Sequence, residues 1–346
     1  MIRLISPENG AEFSVLTDTQ TKLIRQTREG TFTRFGKYDE VYGVDASAPA
    51  VCVFRWRSDD ADFPTYLEIS ETDDFSAEPT VDISETRQSA TDRDLFSSVS
   101  NFLTGKTYFW RVRQNGEYSE VRSFSTAPDP IRPLRVDGVP NFRDLGGRFN
   151  TEGRRMKQGL LYRGRFLERD EDGRAGLTDC GKRTFVERLG IKTEIDLREE
   201  EEGKRTESPA GPGVRYVQVS HDSSWGGTLN DRGMGQLHQI FDVLFDPASY
   251  PVYFHCYSGA DRTGFISVVI GGIVGMSDEN IIIDYNFTAL YAHRNWNECE
   301  GAEGYFGFLR ETYGDRSLSE LVMLHLTNYG VDADKLAELK EFLLED

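Results

Sequence analysis

Apolar and polar residues are arranged differently in the two parts of this chain. The first 128 residues contain short runs rich in β-branched and aromatic residues, separated by turn residues. The predicted strands cover residues 51–56, 65–70, 80–84, 107–113 and 120–125. Asn115 and Gly116 form a strong two-residue hairpin signal between the last two of these strands. Short strands at this spacing predict an N-terminal all-β sandwich over residues 1–128.

Residues 129–346 alternate between strand and helix patterns. This order predicts an α/β domain with a central, parallel-rich sheet flanked by helices. Its ligand site should lie at the carboxyl ends of the strands. The predicted strands include residues 192–197, 214–219 and 252–254, and the predicted helices 235–245, 265–274, 280–291, 307–313, 317–329 and 333–344. Three prolines between residues 128 and 133 favour a stiff connector, so we place the domain boundary near residue 128.

One loop between a predicted strand and a predicted helix combines a cysteine with an arginine six residues later. Cys256 and Arg262 are the predicted nucleophile and phosphate ligand, because a thiolate attacks phosphorus and a guanidinium matches two phosphate oxygens. The start of a helix presents unpaired amides and a positive dipole end to an anion. Thr263 is placed to donate its hydroxyl to the sulfur. The predicted phosphate-binding residues are Tyr257, Ser258, Gly259, Ala260, Asp261 and Gly264.

This loop resembles the signature of the cysteine-dependent protein-tyrosine-phosphatase superfamily. The closer resemblance is to a bacterial tyrosine phosphatase family whose loop reads His-Cys-x-x-Gly-Lys-Asp-Arg-Thr-Gly and whose members are similar to protein-tyrosine and phosphoinositide phosphatases. Residues 139–147 and 159–164 match the amino-terminal signature of that family, and the resemblance runs from about residue 136 to the end. The chain departs from the family at Ala260, where the family usually has Lys.

Several polar residues near these motifs are candidates for a supporting role. In the resembled family the segment containing Asn141, Arg143 and Asp144 packs beside the phosphate loop, so these side chains could reach the site or support it. The alternative is that Arg143 and Asp144 form a structural ion pair. His255 is a further candidate for support, because it directly precedes the cysteine. Arg198 could aid the phosphate site, although a bridge to the nearby Asp196 is the favoured interpretation.

A phosphatase of this kind needs a general acid to protonate the leaving oxygen. Such a group contributes roughly 10²–10⁴ in rate. Asp222 is the favoured candidate, because it follows the predicted strand 214–219 in a polar, glycine-containing loop. The resembled family also places an Asp after this strand. Asp261 and Asp196 are the rival candidates.

Composition narrows the range of partners. The net charge of −18 argues against nucleic acid, and no apolar run approaches the ~20 residues of a membrane span. The four cysteines are far apart and form no metal-ligand pattern, so we expect no metal or other cofactor. A reducing compartment suits a thiolate nucleophile, which predicts a cytoplasmic protein, or a secreted one if a signal peptide has been removed.

These observations predict a cysteine-dependent phosphomonoester hydrolase that acts on a phosphorylated protein or a phosphoinositide. Phosphotyrosine is the first choice of substrate. Phosphoinositides or inositol phosphates come second, because Ala260 removes a loop cation and the chain is acidic. The alternative from another class is a non-catalytic phospho-binding or adhesion protein.

The first 128 residues resemble a fibronectin type III-like domain. Trp56 lies in an early predicted strand, and Tyr108 lies where such folds place a tyrosine corner. A spacer or scaffold role is the favoured interpretation of this domain, and binding of a protein or glycan partner is the alternative. Residues 25–42 fit the pattern poorly and are interpreted as an insertion or a long loop.

Overall fold

The chain divides into two units. The computed structural model describes residues 1–32, 46–60, 63–76, 81–83, 87–88, 94–169, 176–199, 205–220, 231–292 and 300–346. One unit comprises residues 1–17 and 49–129, and the other comprises residues 18–48 and 130–346.

The first unit is built from two β-sheets. Its strands in the described residues are β1 (Ile2–Ser6), β2 (Ala11–Phe13), β3 (Cys52–Ser58), β4 (Thr65–Ser70), β5 (Val81–Ile83), β6 (Arg87–Gln88), β7 (Leu95–Val99), β8 (Thr107–Gln114), β9 (Glu117–Tyr118) and β10 (Arg122–Thr126). One sheet has the order β1-β3-β7-β6, and the other has the order β2-β10-β8-β4-β5 with β9 paired to β8. All pairs are antiparallel except β2 with β10.

Aromatic side chains from both sheets meet in the core of this unit. Phe54 of β3 lies 5.1 Å from the ring of Trp110 and 5.5 Å from the ring of Phe124. The hydroxyl of Tyr108 accepts a hydrogen bond from the Leu103 amide at 3.0 Å, at the position of the predicted tyrosine corner. This contact fixes the loop that leads into β8.

The second unit contains a six-stranded mixed sheet. Its strands in the described residues are β11 (Arg132–Pro133), β12 (Arg143–Asp144), β13 (Leu161–Arg165), β14 (Thr193–Asp196), β15 (Arg215–Gln218) and β16 (Val252–Cys256), in the order β11-β12-β13-β16-β14-β15. The four strands β13, β16, β14 and β15 run parallel, and β16 lies between β13 and β14. The predicted α/β organisation with a parallel-rich sheet is therefore confirmed, and β16 ends in the middle of the sheet's carboxyl edge.

The second unit also contains helices. In the described residues they are α1 (Asp18–Arg28), α2 (Asp179–Lys182), α3 (Asp231–Leu244), α4 (Asp261–Val274), α5 (Asp278–Phe287), α6 (Ala289–Ala292), α7 (Glu300–Tyr313), α8 (Leu318–Asn328) and α9 (Ala333–Leu343), and α2 continues as a π-helical segment over Arg183–Arg188. Helix α4 is buried along almost its whole length, because α5, α8 and α9 pack around it. Its nearly continuous apolar sequence is typical of such a central helix.

The segment 18–48 differs from the prediction. The predicted first domain includes this segment, with residues 25–42 as an insertion or long loop. In the structure, residues 18–48 belong to the second unit and begin with helix α1. Gln20, Leu23 and Ile24 follow helical spacing and are buried. Helix α1 packs against α5, so its apolar side has a partner far along the chain. The division of the chain into two independent domains near residue 128 stays a prediction.

Candidate active site

The cysteine-containing loop joins the central strand β16 to the central helix α4. Every residue of β16 is buried, and Cys256 at its end is 4% exposed. Gly259 adopts a φ of +69°, and a Cβ at this position would approach the Gly164 carbonyl oxygen of β13 to 2.3 Å. The tight curl of the loop against β13 therefore requires glycine here.

The first turn of α4 contains amides that precede the first hydrogen bond of the helix. The first hydrogen bond of the helical ladder runs from the Gly264 amide to the Ala260 carbonyl at 2.7 Å. Ala260, at the N-cap, contributes no side-chain cap. Amides before Gly264 are thus outside the helical ladder, in the geometry that favours an anion. Arg262 lies in the first turn, where its Nη1 donates to the Leu197 carbonyl at 3.4 Å.

Thr263 has an unsatisfied hydroxyl. Its Oγ1 is buried and makes no hydrogen bond within the part of the chain that the structure describes. A buried hydroxyl without a partner costs free energy. The donation of this hydroxyl to the Cys256 sulfur stays a prediction.

The carbonyl groups of the loop are held from behind. Asn141 donates through Nδ2 to the carbonyls of Ser258, at 3.1 Å, and Gly259, at 3.3 Å. Arg163 of β13 donates through Nη2 to the Gly259 carbonyl at 2.7 Å. In a curled loop, carbonyls tied on the outer side leave the amides directed to the inner side, where an oxyanion binds. These two side chains therefore fix the loop's conformation.

A buried carboxylate on α5 organises this support. Asp284 pairs with Nε of Arg143 at 2.8 Å and with Nη1 of Arg163 at 2.6 Å. Burial opposes ionisation of Asp284, but Arg143, Arg163 and Arg148 outweigh it and hold its pKa well below the usual range. Burial and the charge of Arg163 lower the pKa of Arg143 to about 10, so Arg143 stays charged at neutral pH. One carboxylate thus orients two guanidiniums behind the loop.

The alternative of an ion pair between Arg143 and Asp144 is wrong. These residues are adjacent on β12, and neighbouring side chains of a strand point to opposite faces. Arg143 instead bonds Asp284 and the side-chain oxygen of Asn141, the latter at 2.6 Å. Asp144 pairs with Arg132 at 2.6 Å, and its carboxylate also accepts from two backbone amides. Asn141 and Arg143 support the loop, whereas Asp144 fixes the turns beside β12.

His255 points away from the loop into a buried cluster of charged residues. Its Nε2 lies 2.8 Å from a carboxylate oxygen of Glu194, and its Nδ1 lies 3.1 Å from the Cys256 carbonyl. Both ring nitrogens therefore lie within hydrogen-bond distance of an oxygen atom. Burial raises the pKa of Glu194, but His255 and Arg205 outweigh it and lower the value.

Arg198 forms the predicted bridge to Asp196. Its Nη2 lies 2.7 Å from the Asp196 carboxylate and 2.6 Å from that of Glu168. Asp196 is fully buried, and although burial raises its pKa, His255 and Arg198 hold the value well below the usual range. An acid that stays ionised has no proton to donate, so Asp196 is unsuited to general acid catalysis.

Of the two remaining candidates for the general acid, the structure describes only Asp261. Asp261 begins α4, and its Oδ1 accepts a hydrogen bond of 3.4 Å from the hydroxyl of Tyr285. Asp222 and the neighbouring His221 lie outside the described residues.

Among the residues that are described, no group of His, Cys, Asp and Glu side chains has the arrangement needed to hold a metal ion. No helix within those same ranges has both the length and the apolar character of a membrane span.

Sequence reasoning missed several residues that build this site. Arg163 was noted only as part of a motif, and Asp284, Glu194 and Ser267 were given no role. Ser267 accepts from Arg163 Nη1 at 2.7 Å. The available signal was a carboxylate inside an apolar run, since Asp284 follows Ile281, Ile282 and Ile283. Such an acid in a buried helix indicates a buried cationic partner.

Comparison with known proteins identifies relatives of the second unit. The sequence profile of the tyrosine phosphatase family matches residues 134–345. A Cupriavidus necator protein described as a candidate tyrosine-protein phosphatase is 26% identical over 177 residues, which cover 44% of this chain and 61% of that relative. Two structures of the Siw14 catalytic core, one of them described as a PP-IP phosphatase from S. cerevisiae, are 18% identical. They have TM-scores of 0.29 and 0.30, cover 44% of this chain and 88% or 86% of theirs, and are too dissimilar to inform the activity.

Proposed function

Because this chain belongs to the tyrosine phosphatase family, we propose that it hydrolyses phosphomonoesters, most favourably phosphotyrosine in proteins, through a cysteinyl-phosphate intermediate. The observation that carries this proposal is the buried Cys256 at the end of β16, six residues before Arg262. The carbonyls of the loop between them accept hydrogen bonds from Asn141 and Arg163. This geometry leaves the inner side of the loop to a phosphoryl group.

The proposed reaction has two covalent steps. The Cys256 thiolate attacks phosphorus, and the S–P bond forms as the P–O bond to the leaving group breaks. Asp222 gives its proton to the departing oxygen. A water molecule then gives a proton to Asp222 and attacks phosphorus, so the S–P bond breaks and the thiolate returns. Arg262 and the loop amides bind the phosphoryl oxygens. The hydroxyl of Thr263, which has no hydrogen-bond partner among the described residues, donates to sulfur as it leaves.

The role of Asp222 is tested through the pH dependence of turnover. A general acid must be protonated, so kcat/KM of the wild type should fall on the alkaline side as Asp222 ionises. In Asp222→Asn, kcat should fall by about 10²–10⁴ and the alkaline decline should disappear. The loss should be smaller for an aryl phosphate with a weakly basic leaving group. Asp242→Asn, at an exposed position of α3, is the matched charge control. An unchanged alkaline limb in Asp222→Asn would transfer the role to Asp261.

The substrate assignment rests on the residues that flank the nucleophile. Tyr257 is 44% exposed, and its ring packs at 4.8 Å on the ring of Phe166. An exposed ring beside the loop suits stacking with an aryl phosphate. Ala260 is buried and supplies no charge for further phosphates. Both features favour phosphotyrosine over a phosphoinositide.

Substrate preference can be measured on a phosphotyrosine peptide and a short-chain phosphoinositide, each with EDTA present. We expect faster turnover of the peptide. Tyr257→Ala should lower kcat/KM for the peptide by about three- to tenfold, the loss of one aromatic contact, and leave the lipid rate unchanged. Tyr257→Phe, which keeps the ring, is the control. A faster lipid rate would assign a phosphoinositide or inositol phosphate substrate, and turnover of neither would favour the binding-protein alternative.

The first unit is proposed to be a fibronectin type III-like sandwich that acts as a spacer or scaffold. Its two sheets, the buried Trp56 and the Tyr108–Leu103 hydrogen bond support this proposal. Binding of a protein or glycan remains the alternative role. The cytoplasmic location proposed for the protein follows from the need of a thiolate nucleophile for a reducing compartment.

A further inference from the structure

Helix α1 belongs to the second unit although the family match begins only at residue 134. It packs against α5, the helix that carries Asp284. Arg28 lies 3.1 Å from the carboxylate of Glu279, and Asn286 donates to the hydroxyl of Thr27 at 3.3 Å. A segment outside the matched residues is therefore part of the same packed structure as the loop's support.

A buried glutamine on α1 fixes a short turn at residues 46–48. Gln20 is fully buried, and its amide nitrogen donates to the carbonyls of Ala46, at 2.9 Å, and Ala48, at 2.7 Å. Two hydrogen bonds on either side of one residue hold that residue in place. Ser47, between them, is 1% exposed.

The hydroxyl of Ser47 holds the backbone of Asn141. Its Oγ accepts a hydrogen bond of 2.8 Å from the Asn141 amide. Asn141 has a φ of +59°, in the left-handed region that non-glycine residues rarely adopt. This backbone conformation directs the Asn141 side chain to the carbonyls of Ser258 and Gly259. A continuous chain of contacts thus runs from Gln20 through Ser47 and Asn141 to the loop.

We infer that Ser47 is a positioning residue for the phosphate-binding loop, supplied from outside the segment that matches the family. This inference rests on the proposed function, because it assigns Ser47 to the same site. Ser47 touches no reacting atom and acts through Asn141. Removing its hydroxyl leaves a buried amide without a partner and frees Asn141 from its left-handed conformation. The loop carbonyls then lose a fixed donor, and the amides that face the oxyanion lose their alignment.

The test measures turnover and oxyanion binding in the full chain. Ser47→Ala should lower kcat/KM and weaken the binding of tungstate, measured by calorimetry, each by about tenfold. In an Asn141→Ala background, the same substitution should cause no further loss, since residues that act through one another are not additive. Ser249→Ala is the matched control, because Ser249 is also buried. Its hydroxyl donates a hydrogen bond of 3.4 Å to Asp246 and not to the phosphate-binding loop.

Two results would overturn the inference. One is a Ser47→Ala variant whose turnover and tungstate affinity both equal those of the wild type. The other is an undiminished loss from Ser47→Ala in the Asn141→Ala background, which would mean that Ser47 acts by another route. If the wild type hydrolyses no phosphoester, the proposed function fails by itself, while tungstate affinity still reports on the positioning of the loop.

Discussion

Cys256→Ser should lower kcat by roughly 10⁴–10⁶, the scale on which removing the nucleophile of a covalent mechanism acts. The reason is that a serine hydroxyl is a much weaker nucleophile than a cysteine sulfur. The loop amides and Arg262 are unchanged in the variant, so it should still bind tungstate. The measurement is steady-state turnover of a phosphotyrosine peptide, with folding checked by circular dichroism.

The control for this experiment is a second cysteine of the same unit. Cys180 is exposed near the start of α2, and Cys180→Ser should keep wild-type activity. Acid quenching during turnover of a ³²P-labelled substrate should trap labelled protein in the wild type and in Cys180→Ser, but not in Cys256→Ser. Label retained by Cys256→Ser, or equal loss of activity in both variants, would exclude Cys256 as the nucleophile.

Asp284→Asn should lower the free energy of unfolding by about 3–5 kcal/mol, the usual cost of removing one partner from a buried ion pair. The substitution leaves Arg143 and Arg163 buried with their positive charges uncompensated. Urea denaturation at neutral pH measures the loss. The exposed pair Arg154–Glu341 offers a control, and Glu341→Gln should cost less than about 1 kcal/mol.

The same variant should change the dependence of stability on pH. The folded protein holds the pKa of Asp284 below the ordinary value, which is ~3.9 for an aspartate. Its stabilising contribution is therefore present above pH ~4 and is lost as the pH falls through the folded pKa. Asp284→Asn cannot ionise and should lack this part of the acid sensitivity. If the free energy of unfolding of Asp284→Asn falls in parallel with that of the wild type as the pH decreases to ~3, this contribution of Asp284 is contradicted.

The loop and its flanking elements could be predicted from sequence because their determinants are local. One apolar run covers residues 252–254, two residues before Cys256, and a second apolar run begins at Phe265. The spacing of Cys256, Gly259 and Arg262 between these runs fits one short turn. Strand β16 and helix α4 confirm this interpretation, and both end close to the predicted limits.

The support behind the loop could not be predicted in the same way, because its partners are distant in sequence. Arg163 and Asp284 are 121 residues apart, and Ser47 and Asn141 are 94 apart. No local pattern specifies which buried arginine meets which buried acid. The proximity of Arg143 and Asp144 suggested a pair that strand geometry forbids. Helix α1 was missed because its burial depends on α5, which follows some 250 residues later.

The position of α1 in the sequence determines when this helix can pack during synthesis on the ribosome. Residues 18–48 interrupt the strands of one unit but belong to the other. The first unit can close around β10 while α1 still has no surface to pack on. At ~5–20 residues per second, the residues of α5 emerge about 13–50 s after those of α1. Leu23 and Ile24 stay without their apolar partners during that interval, which makes α1 a natural site for chaperone contact. Helix α1 is therefore synthesised first but can pack only after α5 has been made.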